Sequence, residues 1–347
     1  MSRRRFSALA VGALTVVALV AVLAPQRGGD DAAGGGAAVL PGLADRANDV
    51  DRLQVSRHDG VVATLEKQAG QWSIAELEAY PADWPRLRTL LSNLAQMKVE
   101  ELKTANPDYH ARLGVEDISA QGASGTRLDI SAGGAAWALI VGQEAEVQYG
   151  QYMRVAQDAQ SVLADHILEL PDEPAGWAQQ QILDVGPDLI AELSIRHPDG
   201  EQVRISRVSA DAANFTLRTL PQGREPQSDF KVNALANAYS MLRMEDVRRD
   251  PGDPAAAPVQ VELLLFSGER YAIEVFEWDG ERWIRISRQA APATDPADEG
   301  AAEPAPSPAA TEFAGWVYRV GETRLETMTA RLESVLKPLA AETEASE

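Results

Sequence analysis

The sequence carries the same hairpin pattern twice, and this repetition constrains the fold more than any other feature. The stretch AELSIRHPDGEQVRIS, which begins at Ala191, alternates apolar and polar residues on both sides of Asp199-Gly200. The earlier stretch DRLQVSRHDGVVATLE, which begins at Asp51, does the same around Asp59-Gly60. Because Asp-Gly between alternating apolar residues strongly favours a tight β-turn, both stretches are predicted to form β-hairpins.

An amphipathic helix is predicted after each hairpin, because apolar residues recur there at intervals of three and four. Asp83 and Ser228 precede these patterns and are the expected N-caps. A further meander of about four strands follows each helix, so we infer that the second half of the chain is a duplicate of the first. The apolar stripes consist of Leu87, Leu90, Leu91, Leu94 and Met97 in the first copy, and of Val232, Leu235, Ala236, Tyr239 and Leu242 in the second.

We therefore predict an α+β fold of two tandem repeats, each an antiparallel β-meander with one packed amphipathic helix. One repeat alone would expose sheet edges and an apolar face, so the two are expected to pack against each other. The predicted boundaries are 49–173 for the first repeat, 174–187 for a linker and 188–339 for the second repeat. An insert at about 289–312, rich in Pro, Ala and acidic residues, is predicted to be disordered, and an acidic tail at 340–347 ends the chain.

The N-terminus predicts a single transmembrane helix before the repeats. Three arginines precede the uncharged run Phe6–Ala24, which as a helix would span about 28 Å, close to the hydrocarbon thickness of a bilayer. The arginines should stay cytoplasmic. We expect a signal-anchor helix at 1–27, a flexible tether at 28–48, and a single-pass protein of the inner membrane with its bulk in the periplasm. A cleaved signal peptide, which Pro25 disfavours, and a buried soluble helix are the alternatives.

Charge and cysteine content exclude several classes of function. The net charge of -20 repels phosphate backbones, so no nucleic-acid partner is expected. The chain has no cysteine, which excludes disulfides, thiolate metal sites and a cysteine nucleophile.

No catalytic, cofactor-binding or metal-binding residues are predicted. The histidines are isolated from one another, and His58 and His197 are interpreted as surface residues beside the hairpin turns. Adjacent carboxylates at the helix exits are expected to point apart into water, and the serines lack the surroundings of a nucleophile. No functional role is predicted for the residues of these three kinds, which are His110, His166, Ser73, Ser131, Ser267, Glu100, Glu101, Glu245 and Asp246.

Two sets of residues leave a choice between binding and structural roles. Arg154 and Arg285 occupy equivalent strand positions, each two residues after an aromatic. They could bind an anion or a partner, although a solvated strand face with a cation–π contact is favoured. The tryptophans could form a platform for a glycan or a partner, although their periodic positions favour the core. Those of the first half are Trp72, Trp84, Trp137 and Trp177.

Three segments together resemble a known family. They are GQWSI, which ends the first hairpin region; ANPDYHARLGVED after the helix; and LIVGQEAEVQYGQYMRV further on. With the basic start and single apolar span, this pattern is similar to the membrane-anchored extracytoplasmic proteins of the domain-of-unknown-function 4340 family. One departure is the order Leu113-Gly114, where the family has Gly-Leu. The positions that carry the resemblance are Asn106, Tyr109, Leu113, Gly114, Val141, Gly142, Tyr152, Met153 and Arg154.

The resemblance implies a function as well as a fold, because members of this family are often associated with gliding-motility-type ABC transport systems as auxiliary components. We therefore expect a non-enzymatic, membrane-anchored periplasmic accessory protein of an ABC-type transport or cell-envelope complex. Its expected partners are the membrane, through the N-terminal helix, and transporter or envelope subunits. The alternative is a periplasmic module that binds a glycan or peptide in the crevice between the repeats. An enzyme is the weakest hypothesis.

Overall fold

The computed structural model describes residues 36–291 and 313–338. Several of the predicted segments fall outside these ranges. They are the signal-anchor helix at 1–27, tether residues 28–35, insert residues 292–312 and the acidic tail at 340–347.

The first half contains nine strands. They are β1 (Val50–Arg57), β2 (Gly60–Gln68), β3 (Gln71–Ile74), β4 (Tyr80–Pro81), β5 (Val99–Leu102), β6 (Thr126–Ala132), β7 (Ala135–Glu144), β8 (Gln151–Val155) and β9 (Ser161–Ala164). They form one antiparallel sheet in the order β4-β3-β2-β1-β6-β7-β8-β9-β5.

The second half also contains nine strands. They are β10 (Gln181–Leu183), β11 (Ile190–Arg196), β12 (Gln202–Ser206), β13 (Thr216–Leu217), β14 (Leu242–Arg249), β15 (Val259–Leu265), β16 (Arg270–Trp278), β17 (Glu281–Gln289) and β18 (Trp316–Val320). Their order in the sheet is β10-β14-β18-β17-β16-β15-β11-β12-β13.

The helices described are short. They are α1 (Trp84–Gln96), α2 (His110–Leu113), α3 (Asp229–Asn237) and α4 (Glu322–Met328). Short 3-10 turns cover Ala44–Asp49, Ala75–Leu77, Pro107–Tyr109, Pro174–Trp177, Pro187–Leu189 and Leu332–Val335. Asp83 and Ser228 cap α1 and α3, since their side chains accept hydrogen bonds from the backbone N–H groups of Arg86 and Lys231. Helix α3 ends at Asn237, so Leu242, which the helical stripe included, is instead the first residue of β14.

The two sheets have the same order when the second is read in reverse. Eight strands correspond: β3, β2, β1, β6, β7, β8, β9 and β5 match β13, β12, β11, β15, β16, β17, β18 and β14. The remaining strands, β4 and β10, lie at opposite edges. Both predicted hairpins are present. Hairpin β1–β2 turns at His58-Asp59, one residue earlier than predicted, because Gly60 already pairs with Arg57 as the first residue of β2. The turn of hairpin β11–β12 contains Asp199-Gly200.

Bulges also recur at equivalent positions. The register between β1 and β6 shifts between Val50 and Arg52, and that between β11 and β15 shifts between Ile190 and Glu192. A second pair of shifts lies around Glu100 in β5 and Glu245 in β14. A bulge bends its strand and redirects a side chain, so the two halves are bent at the same places.

The halves share one apolar core, which contains buried residues from both sheets and from α1, α3 and α4. At their junction the backbone N–H of Asp83 donates to the carbonyl of Trp177 over 2.8 Å. The ring of Tyr80, from the first half, packs edge-on against that of Trp316, from the second, with ring centroids 4.8 Å apart. The indole of Trp177 is buried at this junction. Aromatic burial of this kind contributes a large share of packing energy.

The predicted fold class is wrong as a whole, because the described chain is mostly antiparallel β-sheet rather than a balanced α+β arrangement. We expected about six strands in each half, and each sheet has nine. One additional strand, β14, has eight residues and lies between β10 and β18. The others are short, such as β4 and β13 with two residues each. Such segments are too short to show a two-residue alternation.

The predicted transmembrane helix and the inner-membrane localisation are also corrected. Within residues 36–291 and 313–338, no helix combines the length and apolar character needed to cross a membrane. The longest helix described, α1, has 13 residues and a length of about 20 Å, whereas a bilayer core is about 30 Å thick. The run on which the prediction was based falls within 1–27, outside the described residues.

Candidate functional site

Two of the three segments that carry the family resemblance, the one after the helix and the one on β7 and β8, meet at one place in the first half. The connection between β5 and β6 folds over β7 and β8, and its Val115 is fully buried. Arg154 of β8 is 7% exposed, and its guanidinium donates to the carbonyls of Val115 at 2.7 Å, Ala156 at 3.0 Å and Asp158 at 2.9 Å. Burial lowers the pKa of this guanidinium, because it disfavours the charged form.

Gly142 allows this close approach. A Cβ at this position would lie 2.2 Å from the carbonyl oxygen of Leu113 and 2.7 Å from Cγ1 of Val115. Gly114 ends α2 with φ of 68°, a conformation that favours glycine. The resemblance residues at this place therefore hold a loop onto a sheet.

Arg285 occupies the matching position in the second half, with different partners. Its guanidinium binds both carboxylate oxygens of Asp250 at 2.6 Å and one of Glu274 at 2.6 Å. The hydrogen bonds to Asp250 raise the pKa of Arg285, and in return they hold the pKa of Asp250 below its usual range. The favoured interpretation of a solvated strand face is wrong for Arg154, which is buried and fastens a connection to the sheet. Arg285 makes the expected cation–π contact, 5.1 Å from the ring centroid of Phe276, and it also fastens a connection.

The histidines do not converge. His58 is exposed beside its turn, as predicted, but His197 is buried, with Nε2 3.3 Å from the carbonyl of Ala330. His110 is also buried, and its Nε2 lies 2.9 Å from the carbonyl of Ala159. His166 contacts the carboxylate of Asp165 at 2.7 Å. In the described part of the chain, no group of three or more His, Cys, Asp or Glu side chains has the geometry to hold a metal ion.

The tryptophans divide into buried and exposed residues. Trp72 and Trp177 are buried, and the half-buried Trp137 donates from Nε1 to the carbonyl of Pro41 over 3.0 Å. Trp84 is 47% exposed, which the core interpretation did not predict. The serines Ser73, Ser131 and Ser267 lie on separate strands or turns.

The two acidic pairs have different surroundings, although they occupy matching positions. Glu100 and Glu101 lie on exposed β5, where Lys103 pairs with Glu101 at 2.6 Å and its hydrogen bond lowers the pKa of that carboxyl. Glu245 and Asp246 instead line a groove between the two halves. The sequence alone could not separate the pairs, because the difference arises from the neighbouring half.

This inter-half groove has two adjoining sections and is the candidate functional site. The wider section, about 800 Å³, lies between linker residues 171–176 and the strands and helix of the second half. The narrower section, about 350 Å³, adds the turn at 76–78 of the first half. Glu173, Ala175, Glu245 and Arg319 line both sections. Clefts between structural units are common ligand sites.

Both sections contain charges of both signs, but the residues without an ion pair in the described chain differ between the ends. Asp172 of the wider section pairs with Arg57, and Asp246 of the narrower section pairs with Arg248. At the wider end, Arg243 donates to the side-chain oxygen of Gln180, and Arg324 donates to the carbonyl of Asn237. Neither forms an ion pair with a carboxylate of the described residues. The exposed carboxylates of Glu76 and Glu78 line only the narrower end, and that of Glu173 lines both sections.

Between these ends, the guanidinium of Arg319 contacts two carboxylates. It lies 2.6 Å from Glu281 and 3.8 Å from Glu245. This central guanidinium separates the arginines of the wider end from the carboxylates of the narrower one.

Strained backbone places the acidic end. Glu78 and Ala79 both adopt the left-handed conformation, with φ of 54° and 64°. Each such non-glycine residue costs about 1–2 kcal/mol. The carbonyl of Glu78 accepts a hydrogen bond from Arg249 of the other half at 3.4 Å. Strain of this kind recurs at functional sites, and it could not be read from the sequence, where neither residue is glycine or asparagine.

Comparison with known proteins gives a family and no described function. No curated protein matches the chain, and no solved structure matches it. A family model described as a domain of unknown function, DUF4340, matches residues 72–260. This range extends from β3 to β15, includes the connections β5–β6 and β14–β15, and covers more than half of the sequence. The chain therefore belongs to the DUF4340 family, which confirms the resemblance found in its sequence.

Proposed function

We propose that this chain is a non-enzymatic accessory protein of an ABC-type transport or cell-envelope assembly, and that it binds a polypeptide segment of its partner in the inter-half groove. The observation that carries the proposal is the separation of unpaired charge along that groove. Arg243 and Arg324 line only the wider section, and Glu76 and Glu78 line only the narrower one. None of these four forms an ion pair with a described residue.

The arginine end supports recognition of an acidic side chain or a chain terminus. Arg243 and Arg324 each use part of the guanidinium on a neutral oxygen, which leaves other N–H groups free to bind a carboxylate. Paired N–H groups of arginine bind a carboxylate in a fixed geometry, so this end would also fix the direction of the bound segment.

The acidic end supports recognition of a lysine or arginine of the same segment. Glu76 already accepts a hydrogen bond from the backbone N–H of Thr64 at 2.7 Å, which fixes the position of its side chain. Glu78 and Glu173 are exposed and form no ion pair with a described residue. A segment with charges of both signs would therefore match the groove along its length, and such matching favours specific partners.

The lining favours a polypeptide over a glycan. Among the residues that the structure describes, no aromatic side chain lines either section, whereas a sugar ring usually stacks on one. Met241, 62% exposed, offers an adaptable apolar contact at the wider end.

The test is site-specific photo-crosslinking of the full chain in its native host. A benzoylphenylalanine is introduced at Glu173, which lines both sections, and crosslinked products are identified by mass spectrometry. We expect an adduct with a subunit of an ABC-type or envelope assembly. Charge reversal of the two arginines at the wider end, Arg243→Glu with Arg324→Glu, should remove that adduct.

The matched control reverses two exposed arginines of α1, Arg86→Glu with Arg88→Glu, which changes the net charge equally and should leave the adduct intact. Circular dichroism and thermal melting confirm that both variants fold. The absence of any such adduct would refute the accessory function. An adduct that persists after reversal of Arg243 and Arg324 would refute the groove as its site.

A further inference from the structure

A second groove, at the outer end of the first sheet, carries a separate inference. It has a volume of about 670 Å³ and is lined by the hairpin β2–β3, by residues around β4 and by the first residue of α1. It shares no lining residue with the inter-half groove. Trp72 and Trp84 both line it, together with Lys67, Gln68 and Gln71.

The exposed tryptophan is the first observation. Trp84 is 47% exposed at the start of α1, and no ring or cation of the described residues packs on it. Helix α1 buries Leu87, Leu90, Leu91 and Leu94, whereas Trp84, one turn before Leu87 on the same side of the helix, remains exposed. A large exposed ring beside a groove provides a flat apolar surface for a ligand.

The polar side chains around this ring are the second observation. Gln68 and Gln71 are exposed and form no side-chain hydrogen bond with the described residues, so each amide offers both a donor and an acceptor. Lys67, opposite Trp72 in the strand pairing, forms no ion pair with a described residue. The indole Nε1 of Trp72, a residue only 6% exposed, has no hydrogen-bond acceptor in the described chain.

We propose that this groove is a carbohydrate-binding site in which a pyranose ring stacks on Trp84. The C–H face of a sugar ring matches an indole face, and its hydroxyl or acetamido groups need mixed donors and acceptors at the rim. Gln68 and Gln71 supply these groups, and Lys67 would pair with a carboxylate where the sugar carries one. Apolar peptides match the site less well, because most of the rim is polar.

The turn of the hairpin keeps the rim in place. Ala69 and Gly70 between β2 and β3 have φ of 50° and 85°, which defines a tight turn that positions Gln68 and Gln71 opposite each other in the register. The backbone N–H of Ala82 donates to the carbonyl of Trp72 over 2.9 Å and fixes the other wall. The site is therefore built on rigid strands, which favours selective binding.

The experiment is isothermal titration calorimetry of the full chain with two probes, chitobiose and the disaccharide of N-acetylglucosamine and N-acetylmuramic acid. The probes share the ring and the acetamido group, and only the second carries a carboxylate. We expect at least one to bind. Trp84→Ala should weaken that binding about tenfold or more, whereas Trp84→Phe should retain most of it.

Further variants separate the sources of affinity. Gln71→Ala should weaken both probes several-fold, and Lys67→Ala should weaken only the acidic disaccharide. Tyr149→Ala, which removes another highly exposed ring of the first half, is the control and should change nothing. Failure of both probes to bind at about 10 mM, or equal binding by Trp84→Ala, would overturn the proposal. The pair Arg243→Glu and Arg324→Glu should bind sugar normally, so this result is independent of the proposed function.

Discussion

The two halves share a strand order but close the outer face of their central strands in different ways. In the first half, a connection of 23 residues between Leu102 and Thr126 folds back over β7 and β8. In the second half, the connection between Arg249 and Val259 has only 9 residues. There the same face is filled by side chains of the sheet itself, with Phe276, Trp283 and Val317 forming a separate apolar cluster.

Residues at matching positions show why the loop cover of the first half and the side-chain cover of the second half cannot occur together. Gly142 lies in the register shift between β7 and β8 and leaves room for the loop backbone, whereas Phe276 pairs directly with Trp283 and fills that room. Arg154 and Arg285 both fasten the connection, the first through carbonyls and the second through carboxylates. The repeated sheet thus determines which face must be covered. The length of the connection determines whether a loop or side chains of the sheet cover that face.

Loss of the aromatic cover should have the largest effect. Phe276 is 4% exposed, and Phe276→Ala would leave a cavity beside Trp283. We expect a loss of about 3–5 kcal/mol in the free energy of unfolding, measured by urea denaturation. Val147→Ala, at a 97% exposed position on the β7–β8 hairpin, should change the same quantity by less than about 0.5 kcal/mol. A small loss for Phe276→Ala would mean that the cluster does not act as the cover.

The loop cover should fail under the opposite change. Gly142→Ala places a methyl group against the backbone of Leu113 and the side chain of Val115, so the loop must move away. We expect a loss of about 3 kcal/mol in the free energy of unfolding. Faster amide hydrogen exchange in residues 103–125 would locate the damage. Ala136→Ser, at an exposed position of the same strand, should be nearly neutral. Unchanged exchange would show that the loop does not depend on this contact.

The two arginines should differ in the cost of their removal. Arg154→Met leaves three backbone carbonyls without their donor beneath a buried loop, and we expect a loss of about 2–3 kcal/mol. Arg285→Met leaves Asp250 and Glu274 half-exposed, where water can solvate them, and we expect a loss of about 1 kcal/mol. Urea denaturation at pH 7 measures both. Equal losses would mean that the partner chemistry does not matter.

The sequence predicted the repeated hairpins, both N-caps and the family. These features depend on residues close together in the chain, such as Asp199-Gly200 for a turn and Ser228 for a helix start. It did not predict the short edge strands β4 and β13, because two residues cannot show the alternation that indicates a strand, although each pairs with the strand just before it in the chain. It also placed Leu242 in a helix, because an alternating strand that follows a helix can continue the same apolar spacing.

The candidate sites were less predictable than the fold. The sequence drew attention to Glu245, Asp246 and Trp84, but only the packing of the halves shows that the first two face a groove and that the third remains exposed. Arg243 and Arg324 gave no signal, since single arginines in a strand and a helix are common. Their role depends on which residues lie opposite them, and those come from the linker at 171–176.

The pH dependence of stability should differ between the two arginine variants, and this is the smallest of the expected effects. The pKa of Asp250 is lowered in the folded state by its hydrogen bonds with Arg285. The stability from this pair is therefore complete above the unfolded pKa, about 3.9, and is lost as the pH falls through the lower folded value. Carbonyl oxygens do not titrate in this range, so the contacts of Arg154 should persist.

The measurement is the free energy of unfolding of the wild type, Arg154→Met and Arg285→Met at pH 7, 5 and 3. The difference between the wild type and Arg285→Met should be constant from pH 7 to 5 and should shrink towards pH 3, because protonated Asp250 no longer pairs with the guanidinium. The difference for Arg154→Met should stay nearly constant over the whole range. Because both variants lose one positive charge, the general effect of acid on this chain is common to them. Parallel curves for the two variants would show that the carboxylate pair contributes no more than the carbonyl contacts, and that the halves differ in geometry alone.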